Sequence, residues 1–127
     1  MNKKKTVMVV KDNPQDLWLV SCSLQIQGYD TVAVNQGMEA VKRAWNENVD
    51  CVVVDEELKD ISGYEVCARL RHDEITKLTP IILVSEHDDL KTKEKCEKAG
   101  ANEFIQAPIS ILDVDSLISK LTMTKRS

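Results

Sequence analysis

Three uninterrupted apolar runs punctuate the chain: Val7-Met8-Val9-Val10, Cys51-Val52-Val53-Val54 and Ile81-Ile82-Leu83-Val84. Each reads as a strand buried on both faces, as in a parallel sheet covered by helices. Each also stops abruptly at polar residues. These are Lys11-Asp12 after the first run, Asp55-Glu56-Glu57 after the second and Ser85-Glu86 after the third. Open parallel sheets carry their working residues just beyond the carboxyl ends of the strands. Lys11, Asp12, Asp55, Ser85 and Glu86 are therefore expected along one edge of one sheet.

Helical patterns alternate with these runs. Asn13-Pro14 is a good helix start, because Asn caps and Pro at the first position gives up an amide that has no partner there. That helix is expected to reach about Gln27, with Leu17, Val20 and Leu24 on its inner face and Gly28 as its stop. Tyr29 to Val34 reads as a more polar second strand, which places it at an edge. Asn35 is expected to cap the next helix, with Met38, Val41, Ala44 and Trp45 as its core stripe. Ser62-Gly63-Tyr64-Glu65 has the form of a capping box, Glu65 reaching back to the cap amide. Val66, Cys67 and Leu70 then face inward.

The segment 88–99 is expected to form a helix closed by Gly100. Lys91, Lys93, Glu94, Lys95, Glu97 and Lys98 crowd it, and Thr92, Cys96 and Ala99 leave only a thin apolar stripe. It reads as a solvated surface helix, with a movable contact surface as the competing reading. Asn102 to Gln106 is a short fifth strand. Ser110 and Asp113 make an acidic capping box, and Val114, Leu117, Ile118 and Leu121 give the clearest amphipathic stripe. Thr122 to Ser127 is expected to fray. Five strands alternating with five helices imply an α/β, doubly wound parallel sheet.

Composition leaves that picture standing. A length of 127 residues suits one domain, 1–127, with a real core. The formal charge of −4 argues against direct contact with nucleic acid, whose backbone needs a basic surface. No apolar stretch approaches the ~20 residues that span a bilayer. The Lys3-Lys4-Lys5 start leads into an apolar run too short for a signal peptide, so the cytoplasm is the expected location. Cys22, Cys51, Cys67 and Cys96 show no metal-ligand spacing and read as structural thiols rather than a disulfide framework. His72 and His87 have no metal partner at helical spacing and read as surface residues.

The order of four short stretches is more specific than any one of them. These are Val9-Val10-Lys11-Asp12-Asn13-Pro14, Val52-Val53-Val54-Asp55 with Gly63 eight residues on, Pro80 to Ser85, and Gly100-Ala101-Asn102-Glu103-Phe104 leading to Ala107-Pro108. In this the chain resembles, over nearly its whole length, the receiver domain of two-component response regulators. The resemblance implies a flavodoxin-like sheet of order 2-1-3-4-5. It also implies transfer of phosphate from a partner histidine kinase to an aspartate after the third strand, with Mg²⁺ present. On this chain Asp55 is then the phosphoacceptor position, and Asp12 the second member of the metal-binding acidic pair. Glu57 offers a backbone carbonyl to the metal. Ser85 is the hydroxyl that meets the phosphoryl group, and Phe104 the aromatic whose rotamer follows.

Three positions depart from that pattern. Lys11 stands where the first acid belongs, Glu86 where a small residue belongs, and Ala107 where a lysine belongs. Phosphoryl transfer needs cations against the transferring group and an open approach to the nucleophile. Mg²⁺ needs carboxylates and water in an octahedron. Lys11 puts an ammonium in place of a carboxylate, Glu86 sets an anion beside the entry, and Ala107 removes a fixed positive partner. The first and third strands are implied neighbours, so Lys11 can reach Asp55. Unit charges about 4 Å apart gain on the order of 4 kcal/mol at an effective dielectric near 20, before desolvation. Lys11 either pairs with Asp55 and takes over part of the missing cation's role, or snorkels out to water.

The reading favoured by these substitutions is a degenerate receiver, or pseudo-receiver, acting in signal transduction through protein–protein contacts. Mg²⁺, if bound, is held weakly. The alternative is a domain still phosphorylated on Asp55 by a histidine kinase with weak Mg²⁺ dependence. A small aspartate-nucleophile phosphatase is a remote third reading, since Asp55-Glu56-Glu57 looks a little like the nucleophile motif of haloacid-dehalogenase-type enzymes. A flavin site is not expected, because Lys11-Asp12-Asn13-Pro14 lacks the glycine of a phosphate-cradling loop. The expected partners are a sensor histidine kinase or another signalling protein, and any homodimer uses residues 88–121. No DNA-binding or catalytic output module is read in these residues.

Overall fold

The computed structural model describes residues 4–123. Five parallel strands lie in the order β2-β1-β3-β4-β5. They are β1 Thr6–Val10, β2 Asp30–Val34, β3 Cys51–Asp55, β4 Ile81–Ser85 and β5 Glu103–Gln106. Five helices alternate with them: α1 Pro14–Ile26, α2 Gly37–Asn46, α3 Gly63–His72, α4 Leu90–Ala99 and α5 Ile111–Met123. This is the doubly wound sheet expected from the alternation, in the flavodoxin-like order that the resemblance implied, with the polar β2 at an edge.

The three apolar runs are the central strands, and nearly every residue in them is fully buried. Burial on both faces explains why they show no alternation. Two core clusters result, one on each face. Met8, Val10, Val52, Val54 and Leu83 pack against α2, α3 and Cys96 of α4. Val7, Val9, Val53, Ile82 and Val84 pack against α1 and α5. The buried faces of α1, α3 and α5 are those the periodicity marks, with Leu17, Leu117 and Leu121 only partly covered.

The helix ends show where local reading holds. Asn13 caps α1 by accepting from the Asp16 amide at 3.0 Å, and Gly28 ends it at φ +104°. Ser62 caps α3 by accepting from the Glu65 amide at 3.1 Å. The Glu65 carboxylate turns instead to Arg69, one turn on, at 3.0 Å. Ser110 accepts from Asp113 at the start of α5. Tyr29 precedes β2 rather than opening it, and its buried ring sends the hydroxyl to Asp115 of α5.

Three further expectations are corrected. The cap of α2 is Gln36 without a side-chain bond, not Asn35. The first amides of the helix, those of Gly37 and Met38, are taken by the two carboxylate oxygens of Asp60, each at 2.9 Å. The inner stripe of α2 is Gly37, Ala40 and Ala44, whereas Met38 and Trp45 are about half exposed. Both stripes have helical spacing, but α2 approaches α3 too closely for the larger set. A Cβ on Gly37 would stand 2.6 Å from Ile61 and 2.9 Å from Val66. Finally, α5 continues through Thr122 and Met123. Thr122 is buried, donates its hydroxyl to the Ile118 carbonyl at 2.7 Å and accepts from Lys5 at 2.7 Å. The expected fraying of 124–127 and the lysine-rich start at Lys3 lie outside the described residues.

All four cysteines are thiols, three of them buried and Cys22 partly so. His72 and His87 are exposed. No helix among the described residues is long and apolar enough to cross a membrane.

Candidate functional site

Register decides what meets at the carboxyl edge. Val10 lies beside Val54 and Val54 beside Leu83, so Lys11, Asp55 and Ser85 leave adjacent strands together. Asp55 itself pairs in register with Val84. The three ends form one side of a cleft of about 310 Å³. Asp12, Glu57, Glu86 and Ala107 line the same cleft, so seven of the eight positions singled out in the sequence converge there. Phe104 does not line it. It sits half-buried on β5, opposite Leu83, against the core cluster beneath α4. The Ala107–Pro108 peptide bond is cis.

Lys11 does not snorkel out to water. Its side chain is 10% exposed and donates from Nζ to Asp55 Oδ1 at 2.8 Å. Asp55 is 25% exposed at its side chain. Burial pushes its carboxyl above the ordinary range, the Lys11 ammonium pulls it back, and Asp12 and Asp16 add to the rise. The balance is upward. A carboxyl raised in the folded chain contributes stability that is full below its unfolded value, and that contribution is lost as pH rises through the folded value. Ionised Asp55 is thus a strained element of the fold, and Lys11 limits that strain.

The cleft is strongly acidic around this pair: Asp12, Asp16, Glu56, Glu57 and Glu86 join Asp55 in its lining. Acidity alone does not make a metal site. A divalent ion needs oxygen ligands converging on one point. Among the described residues no three carboxylate, imidazole or thiol groups converge in that way. The Lys11 ammonium, moreover, already faces Asp55.

Glu86 is exposed where it lines the cleft, and Gln106 donates to its backbone carbonyl at 3.2 Å. Ser85 is 2% exposed, and its hydroxyl donates to Glu56 Oε2 at 2.5 Å. Within Asp55-Glu56-Glu57 nothing in the sequence gives Glu56 a role of its own. Its other oxygen accepts the Tyr64 hydroxyl at 2.7 Å. No spacing rule joins residues 56, 64 and 85, since the three meet only once β3, β4 and α3 are assembled.

An open, doubly wound sheet with an aspartate at the end of its third strand and a hydroxyl at the end of its fourth is the arrangement that the resemblance implied. The chain belongs to the response regulator receiver domain family, whose pattern it matches over residues 7–121. It is 31% identical over 121 residues to the alkaline phosphatase synthesis transcriptional regulatory protein PhoP of Bacillus subtilis. That match takes in 95% of this chain and 49% of PhoP, so the chain spans about half of that relative. It is also 31% identical over 107 residues to the polar-differentiation response regulator DivK of Brucella ovis, covering 84% of this chain and 87% of DivK. The fold is that of the receiver domain of the sensor histidine kinase PA1611 from Pseudomonas aeruginosa. The TM-score is 0.88 at 23% identity, over 95% of this chain and 99% of the other. That structure holds a magnesium ion coordinated in its active site cleft.

Proposed function

We propose that this receiver domain works as a pseudo-receiver. In two-component signalling it acts by protein–protein contact, and Lys11 supplies at Asp55 the positive charge that a metal ion supplies elsewhere. The observation that carries this reading is the 2.8 Å contact between Lys11 Nζ and Asp55 Oδ1. A tethered ammonium at that distance competes with any incoming cation and occupies one oxygen of the acceptor carboxylate. Asp12 and Glu57, the positions matching metal contacts in the family, are left with weak Mg²⁺ affinity. Ala107 offers no charge to a phosphoryl group. The contact face lies over residues 88–121, for a histidine kinase, another signalling protein or a second copy. The domain needs no direct contact with nucleic acid and acts in the cytoplasm as one unit over 1–127. It turns over no phosphomonoester.

The second reading, phosphorylation of Asp55 with weak Mg²⁺ dependence, has its own support. The carboxylate remains a quarter exposed and opens onto a cleft large enough for a phosphoryl group. A titration with beryllofluoride and Mg²⁺, followed by amide chemical shifts, separates the two. Under the pseudo-receiver reading the resonances around Asp55 and Ser85 do not move at millimolar Mg²⁺. Saturable shifts that vanish in Asp55→Asn establish the second reading instead.

A further inference from the structure

Ser85 has one hydroxyl proton, and it is committed. The hydroxyl donates to Glu56 Oε2 at 2.5 Å and accepts from the His87 amide at 3.0 Å. A serine hydroxyl offers a single donor, so Ser85 can turn to another acceptor only by releasing Glu56. The opposite oxygen of the same carboxylate holds Tyr64. Tyr64 lies in the first turn of α3 and is partly buried under α4. The Lys95 ammonium of α4 sits 4.9 Å from its ring centroid, and the Cys96 thiol is adjacent to its hydroxyl. One carboxylate therefore joins the ends of β3 and β4 to the middle of α4.

That link matters because α4 has few others. Only Thr92 and Cys96 of its ten residues are buried. Its ends are fixed separately: Asp89 caps the first turn, accepting from Thr92 at 2.9 Å. At the other end Arg71 donates to the Gly100 carbonyl and to Asn102 Oδ1, both at 2.8 Å. Between those ends the helix rests on Tyr64 and a thin apolar stripe. A helix with so small a buried face opens at low cost unless something specific holds it.

We propose that Glu56 is a positioning residue for the output surface. Its carboxylate holds Ser85 and Tyr64 at once and thereby fixes α4 over the sheet, independently of the state of Asp55. This rests on the pseudo-receiver reading only for the use made of α4, not for the linkage itself. Its test needs neither Mg²⁺ nor a phosphoryl analogue, so the two fail separately.

Cys96 is 3% exposed on α4, and Cys51 is fully buried on β3 in the cluster on the opposite face of the sheet. Their alkylation rates by iodoacetamide in the intact chain, resolved by peptide mass, report opening of α4 and general loosening respectively. Glu56→Ala is expected to speed Cys96 about ten-fold while leaving Cys51 unchanged, the size expected for losing hydrogen bonds to a charged group. Glu56→Gln, which can still engage both hydroxyls, is expected to restore most of the native protection. Tyr64→Phe keeps the ring and loses the hydroxyl, and is expected to speed Cys96 in the same direction. An unchanged Cys96 rate in Tyr64→Phe and Glu56→Ala, or an equal rise at Cys51, overturns the proposal. If Glu56→Ala does not fold, Tyr64→Phe decides it alone.

Discussion

A Gly63→Ala chain is expected to lose about 3 kcal/mol of stability, at the upper end of what overpacking costs, because its obstacle is backbone rather than a side chain. The first residue of α3 lies directly against the end of β3. Its amide donates to the Glu56 carbonyl at 2.8 Å. A Cβ there would overlap the Asp55 carbonyl oxygen, and would stand 2.8 Å from the Asp55 carbonyl carbon and 2.9 Å from Glu56 Cα. None of these atoms can rotate away. Either α3 is pushed off the sheet, exposing Val66, Cys67 and Leu70, or the end of β3 moves and Asp55 with it. For a domain with a typical total stability of about 5–15 kcal/mol, that loss shows as a large fall in the urea midpoint. A midpoint within error of the native chain's means α3 is not seated as described.

The second large effect concerns charge. Lys11→Asp is expected to bind Mg²⁺ at least about ten-fold more tightly than the native chain. It replaces the ammonium that faces Asp55 by a carboxylate beside Asp12, and hard divalent ions follow carboxylate number and convergence. Chemical-shift titration with Mg²⁺, read at the amides of Asp12 and Glu57, measures it. The same substitution removes the ammonium that offsets burial of Asp55, so the metal-free variant is expected to be less stable, and added Mg²⁺ to recover that loss. Equal Mg²⁺ affinity in both chains means that Lys11 is not what keeps the metal out.

The fold was legible because burial on both faces leaves a plain trace, an apolar run of strand length, and three such runs are central strands here. The edge of the sheet followed, since strand ends in a parallel sheet share one direction. What escaped was set by distance along the chain or by close approach. Asp60 caps α2 from more than twenty residues away. The inner face of α2 is built from its smallest residues because Ile61 and Val66 press on it, and a hydrophobicity pattern favours Met38 and Trp45 instead. Lys11 was open to two readings because its stem is long enough for either, and the register of β1 on β3 decided for Asp55. Glu56 looked like one more surface acid in Asp55-Glu56-Glu57. Its partners, Ser85 and Tyr64, sit at positions that no local spacing connects to it.

A tethered cation at the acceptor position requires that Lys11 and Asp55 act on one another as a coupled pair. A double-mutant cycle of Lys11→Met and Asp55→Ala, measured by urea unfolding at neutral pH, isolates that interaction from the separate cost of each change. The expected coupling is about 1–3 kcal/mol in favour of the native pair, the range for contacting, largely desolvated charges. Additive effects, with a coupling indistinguishable from zero, would contradict a tethered cation at the acceptor position.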